Sequence, residues 1–306
     1  MRCPRRRRYR PFLRHAGAVS TVLEQAYLAI GGSVAMHVTW NLLVRYQGAQ
    51  THMLWWALAL HCATLGLWGL YALASEAIWS RELLVFLLVS ASGNTLYFLA
   101  LNRAYAHAPV ALVYPLVRSS PLLIGLWSVL FFGESLGLSA WGAMLISVAG
   151  LMLLAGTAWR KDGFAALPLA LVAALATSVY SLSDKAATAY LPTFGSLVGF
   201  VTVGYTASFL ALTLQMRLKH GAWRPQRAPR LPYLLIAGGS IGLAYALVIH
   251  AMRDLPAAVV VTFTNAGIVI AGILSISLFR ERAHWRMRLA GIAVICLGLA
   301  LLAVTR

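Results

Sequence analysis

The sequence predicts an all-helical membrane protein of ten transmembrane helices, arranged as two inverted five-helix repeats. Three observations predict it. Of the 306 residues, 60% are apolar and only 11% charged, with a mean hydropathy of +0.77, whereas a soluble domain carries about a quarter charged residues. Apolar runs of about 20 residues, the length needed to cross a bilayer, recur from one end to the other. A short motif also returns 147 residues after its first occurrence. These features exclude a soluble globular enzyme, and ten spans of about 20 residues leave no room for a separate soluble domain.

The spans are bounded by Gly, Pro or charge. The first, 24–46, follows a head carrying Arg2, Arg5, Arg6, Arg7, Arg8, Arg10 and Arg14, so residues 1–20 are expected to form a disordered basic tail. A secretory signal would need a clean apolar stretch and a small-residue cleavage site, but this span carries Glu24, His37 and Asn41. Spans 52–73 and 82–102 follow, then 108–132, which ends at Gly133-Glu134-Ser135, and 138–158, which ends before Arg160-Lys161-Asp162-Gly163. The second half has 165–187 and 194–216, the long Arg- and Pro-rich connector Arg217 to Arg230, and then 231–251, 256–279 and 287–305. The units are therefore the tail 1–20, a first repeat 21–158 and a second repeat 159–306.

The repeat is visible in the residues. Ala108-Pro109-Val110-Ala111-Leu112-Val113 is echoed by Leu255-Pro256-Ala257-Ala258-Val259-Val260, and each Pro is followed 25 residues later by Glu134 or Glu281. Both units close on a Gly-containing apolar helix, Gly142 to Ala155 and Gly291 to Ala303. Five spans per unit insert the copies in opposite orientations, the arrangement in which secondary transporters place a site at the repeat interface.

The run Ala108-Pro109-Val110-Ala111-Leu112-Val113-Tyr114-Pro115-Leu116, with Ser120-Pro121-Leu122, Phe132-Gly133-Glu134-Ser135-Leu136 and Gly142 to Gly150, resembles the EamA-type domain of the drug/metabolite transporter superfamily. The second copy is similar, with Arg280 in place of the Gly before Glu281. The resemblance covers the chain beyond the tail. It implies a ten-span carrier of amino acids, nucleosides, sugars or other small metabolites, often moved outward by proton coupling or exchange, with both termini in the cytoplasm.

Polar residues within spans locate a candidate site, because an ionisable group at a span centre costs about 2.5 to 3.5 kcal/mol on insertion scales. Arg118 lies deep in the fourth span, and the 147-residue offset maps it onto Asn265 in the ninth. Helical spacing adds Tyr114 beside Arg118 and Thr262 beside Asn265. The alternative role for Arg118 is to pair with a backbone carbonyl freed by Pro115 or Pro121 and brace the bundle. An offset of 140 matches His37, Trp40, Asn41 and Arg45 with Thr177, Tyr180, Ser181 and Lys185. Trp40, Asn41 and Tyr180 are candidate ligand contacts, with interfacial anchoring and helix-to-helix bonding as alternatives. Tyr97 is a candidate cavity residue or a packing residue, near polar Asn94. The substrate-binding set is thus Arg118, Asn265, Tyr114, Trp40, Asn41, Tyr97, Tyr180 and Thr262.

Of eight carboxylates, Glu134 and Glu281 sit at span ends, where a cap or salt bridge is expected, and only Asp184 and Glu24 could titrate in a low-dielectric cavity. These two and His37 are the candidates for proton coupling, His37 having packing and hydrogen bonding as its alternative role. An Arg with Asn, Tyr and Trp favours an anionic or zwitterionic, amino-acid-like metabolite over a cationic drug, which would need a deep carboxylate. The expected partners are that metabolite, the bilayer, a proton and a second copy of the chain as a homodimer, with no nucleic acid. No phosphate loop, zinc pair or nucleophile elbow occurs, so neither an enzyme nor a cofactor or metal is expected. Cys3, Cys62 and Cys296 are scattered and suggest no disulfide framework. A non-transporting membrane scaffold or receptor would equally explain the hydrophobicity, though not the paired polar residues.

Net charge is +17. Thirteen basic residues fall on the side of the odd connectors and eleven, including the seven of the tail, on the other, so the loop charges contest the orientation that the resemblance implies. The expected location is a bacterial inner membrane, crossed many times.

Overall fold

A computed structural model describes residues 12–47, 51–159, 161–277 and 283–305. Thirteen α-helices and no strand occur among the described residues. They are α1 (Phe12–Gln47), α2 (Met53–Ala63), α3 (Leu65–Glu76), α4 (Arg81–His107), α5 (Val110–Val117), α6 (Pro121–Phe132) and α7 (Leu138–Gly156), followed by α8 (Leu167–Ala187), α9 (Phe194–His220), α10 (Leu231–Ala251), α11 (Ala257–Thr264), α12 (Ala266–Ser277) and α13 (Trp285–Val304). Among the described residues, eight spans are long and apolar enough to cross a membrane, or nine if the bent pair α2–α3 is one span. The sequence led us to expect ten.

Several expected boundaries change. Helix α1 begins at Phe12, inside the stretch expected to be a disordered tail, and residues 1–11 lie outside the described residues. The second span bends by 47° at Thr64, whose hydroxyl donates back to the Leu60 carbonyl (2.7 Å) in competition with the helical ladder. The fourth and ninth spans, expected to be continuous, each break near the middle. In the fourth, Pro121 has no N–H to offer Val117. The chain passes through the tighter bonds Ser119 N–H to Leu116 O (3.2 Å) and Ser120 N–H to Val117 O (3.3 Å) before α6 starts on the proline. The ninth has no proline at its break. There the Thr262 and Thr264 hydroxyls turn back onto the carbonyls of Ala258 (2.6 Å) and Val261 (2.7 Å), and the Asn265 N–H bonds Thr262 O at 3.0 Å. The two breaks fall at Arg118 and Asn265, the pair related by the 147-residue offset.

The packing repeats with the sequence. Helix α4 lies against α8, and its counterpart α10 lies against α1; α4 also touches α9, as α10 touches α2. Equivalent helices meet each other at glycines. A Cβ on Gly199 of α9 would stand 2.1 Å from the Gly69 carbonyl oxygen of α3, and one on Gly150 of α7 would stand 2.7 Å from the Gly291 carbonyl oxygen of α13. Small residues let these backbones touch, as in membrane helix pairs generally. Hydrogen bonds add to the packing: the Trp127 indole of α6 donates to Ser178 Oγ of α8 (3.1 Å), and Ser183 Oγ of α8 donates to the Phe86 carbonyl of α4 (2.9 Å). Leu138, Leu218 and Phe131 are among the large apolar side chains left exposed, which suits a surface solvated by lipid.

Candidate functional site between the repeats

The break after α5 releases Arg118 from a regular helix and points it at the other repeat. Its Nε–H donates to the Tyr114 hydroxyl (3.1 Å), and its Nη1–H donates to Thr264 Oγ1 (3.0 Å), at the end of α11. The guanidinium carbon lies 5.2 Å from the centre of the Tyr114 ring, a cation–π contact. Both hydrogen-bond partners are neutral, and among the described residues the ion pair formed is that of Lys185 with Glu134 (3.9 Å). Among the described residues, Arg118 therefore has no carboxylate neutralising it. It is enclosed by protein yet only half-buried towards solvent, and the same holds for Tyr97, His37 and Tyr245. All four are deep in the bundle and still partly accessible.

Aromatic rings from three helices pack together beside Arg118. The Tyr97 ring of α4 packs edge-on against Tyr180 of α8 (6.0 Å between centres), and Tyr180 against Tyr245 of α10 (5.8 Å). Arg118 is an electrostatic neighbour of Tyr97, Tyr180 and His37. On α1, His37 Nδ1 is 3.0 Å from the Ser33 carbonyl oxygen. A carbonyl only accepts, so Nδ1 carries the proton and Nε2 is left as the acceptor of the neutral ring. The Trp40 ring lies 6.2 Å from His37, and its indole N–H is buried with no partner.

The other expected residues divide. Asn265 is fully buried at the second break, and among the described residues neither its amide nitrogen nor its amide oxygen has a partner. Arg118 reaches its neighbour Thr264 instead. Thr262 is buried and bonded to its own helix, and Asn41 donates to the His37 carbonyl (2.7 Å), also within its own helix. Asp184 is fully buried one turn along α8 from Tyr180 and accepts a hydrogen bond from the Tyr245 hydroxyl. Among the described residues no cation pairs with it: Lys185 turns away and donates to the carbonyls of Met252 (2.8 Å) and Leu255 (3.1 Å). Glu24 is exposed on α1, away from the enclosed cluster around Arg118. Glu281 lies outside the described residues.

Sequence reasoning missed Thr264 and Tyr245. For Tyr245 a signal was available, since the 147-residue offset maps it onto Phe98, another aromatic, next to Tyr97. Thr264 maps onto Val117 and carries no such signal.

Broken helices in symmetry-related spans, polar residues at the breaks and a bundle with a lipid-exposed surface define a multi-pass membrane protein built from two repeats. The chain belongs to the EamA-like transporter family, whose model matches residues 20–156 and again 164–304. It is thus a membrane transporter of the drug/metabolite transporter superfamily. A solved structure described only as "Crystal structure of protein" matches with a TM-score of 0.69 and 20% identity, over 92% of this chain and 98% of that one, a likeness of fold alone. A search of curated proteins finds no match.

Proposed function

We propose that the protein is a secondary transporter of small anionic or zwitterionic metabolites of amino-acid type. It exports them by alternating access of two inverted repeats, with proton coupling through Asp184. The observation that carries the reading is Arg118: a permanent charge deep in the bundle, held by neutral partners from both repeats and still partly accessible. A guanidinium is always charged and presents several donors in one plane, so a carboxylate or phosphate is its natural ligand. Binding such a group would supply the missing counter-charge, while Tyr97, Tyr114, Tyr180 and Trp40 offer flat apolar surface to the rest of the molecule. Because Arg118 bridges to Thr264, a ligand that competes for its donors would loosen a contact between the repeats, which gives binding a handle on their rocking.

Asp184 supports the coupling. An enclosed carboxylate that accepts from the Tyr245 hydroxyl and, among the described residues, has no cation beside it is placed to take up and release a proton as the site opens to water. Tyr180 is an electrostatic neighbour of both Asp184 and Arg118, so loading of proton and substrate can be linked without direct contact. The reading places the protein in a bacterial inner membrane with both termini in the cytoplasm. In proteoliposomes holding a panel of amino acids and organic acids, wild-type flux should favour anions and zwitterions over cations and respond to an imposed pH gradient. Asp184→Asn should remove that response. Preference for cations would refute the substrate class, and an unchanged pH response in Asp184→Asn would refute the coupling.

A further inference from the structure

A second site lies at the end of the bundle where α1 ends and α2 begins, far from Arg118 in the chain and in chemistry. The connector from Arg217 to Arg230 carries Arg217, Lys219, Arg224, Arg227 and Arg230 with no Asp or Glu. It is held in one shape. Gly221, at φ +68°, ends α9 with a left-handed turn. The Trp56 indole donates to the Arg227 carbonyl (3.1 Å), and the Arg230 N–H donates to Gln47 Oε1 (3.4 Å). Arg217 donates to the Gly221 carbonyl and lies 5.6 Å over the Trp223 ring. Between this connector and α2 is a cleft of about 510 Å³ whose walls include Trp56, Trp223, Arg224 and Gln226.

We infer that this cleft binds the headgroup of an anionic phospholipid. The connector joins two membrane-spanning helices, so it sits at headgroup level, and the aromatics around it form the belt expected there: Tyr46 against Tyr233 (5.5 Å) and Trp55 against Trp56 (4.9 Å). Arg224 is exposed at the mouth and is the cleft's charged side chain; it meets the phosphate, and Gln226 supplies an amide to the headgroup's polar end. The Trp56 and Trp223 rings flank the glycerol and the start of the acyl chains. The surrounding acid-free loop adds attraction for anionic over zwitterionic lipid. Fixing the loop before the lipid arrives reduces the ordering cost of binding.

Native mass spectrometry of the full chain in detergent, with phosphatidylglycerol or phosphatidylcholine added, tests this. Wild-type protein should retain phosphatidylglycerol in preference to phosphatidylcholine. Arg224→Gln should weaken that retention about fivefold, the loss expected for one basic residue at an anionic surface, and Arg224→Lys should recover much of it. Trp223→Ala should weaken it independently of charge. Inorganic phosphate at equal concentration should leave the lipid bound; displacement by phosphate would assign the cleft to a soluble phosphate and overturn the lipid. Equal retention of the two lipids, or of phosphatidylglycerol by wild type and Arg224→Gln, would also overturn it.

Discussion

The fourth and ninth spans break at equivalent positions by different means. In the first repeat Pro121 withholds a backbone donor, and the break carries a charged, half-buried Arg118. In the second, two threonines turn their hydroxyls onto the backbone, and the break carries a neutral, fully buried Asn265. The shared backbone event shows that interrupting the helix at mid-depth matters to both halves, as it does where half-helix ends line a transport site. The unshared side chains put the charge on one half alone. In the proposed function Arg118 meets the charge of the ligand, and the second repeat answers through Thr264.

Exchanging the two sides of this comparison should be the most damaging change. Asn265→Arg places a guanidinium where the side chain is wholly enclosed and no counter-charge is near; one uncompensated buried charge costs about 3 to 5 kcal/mol. Thermal unfolding in detergent should show a large fall in stability, and flux should be lost even if the protein inserts. A variant that is stable and active would mean that the second break is more open than its burial implies.

A gentler change tests the bridge. Thr264→Val keeps the shape and removes the hydroxyl that accepts from Arg118 Nη1–H, a charge-assisted bond worth about 1.5 to 3 kcal/mol. Apparent substrate affinity should change by about tenfold or more, with a loss of stability no larger than the bond itself. Tighter binding would mean that the bridge competes with substrate, weaker binding that it positions the guanidinium. No change would remove Thr264 from the account.

Much of this comparison was legible in the sequence. The spans followed from hydrophobicity, the two repeats from the Pro-to-Glu spacing, and the Arg118–Asn265 correspondence from one offset. Tyr97 and Tyr180 were picked from separate spans, and the structure brings their rings together. What stayed hidden depends on rotation and distance. Periodicity assigns residues to a face of a continuous helix, but a break resets the rotation, so the stripe that grouped Thr262 with Asn265 did not reveal that Thr264 would face Arg118. The Tyr245 bond to Asp184 joins residues 61 positions apart, and pattern within a span carries no information about it. The bend at Thr64 has no proline to announce it. Asp184 and Lys185 adjoin in the chain but bond to different groups, as neighbours about 100° apart on a helix do.

The central claim is that Arg118 recognises the negative charge of the transported molecule. Counterflow of an anionic or zwitterionic metabolite should be measured in proteoliposomes for wild type, Arg118→Lys and Arg118→Ala, with insertion confirmed for each. The account predicts full exchange for wild type, a partial rate for the point charge of Lys, and for Ala a loss of about 100-fold or more, the scale of removing one partner of an enclosed charged pair. Wild-type exchange by an inserted Arg118→Ala variant would contradict it.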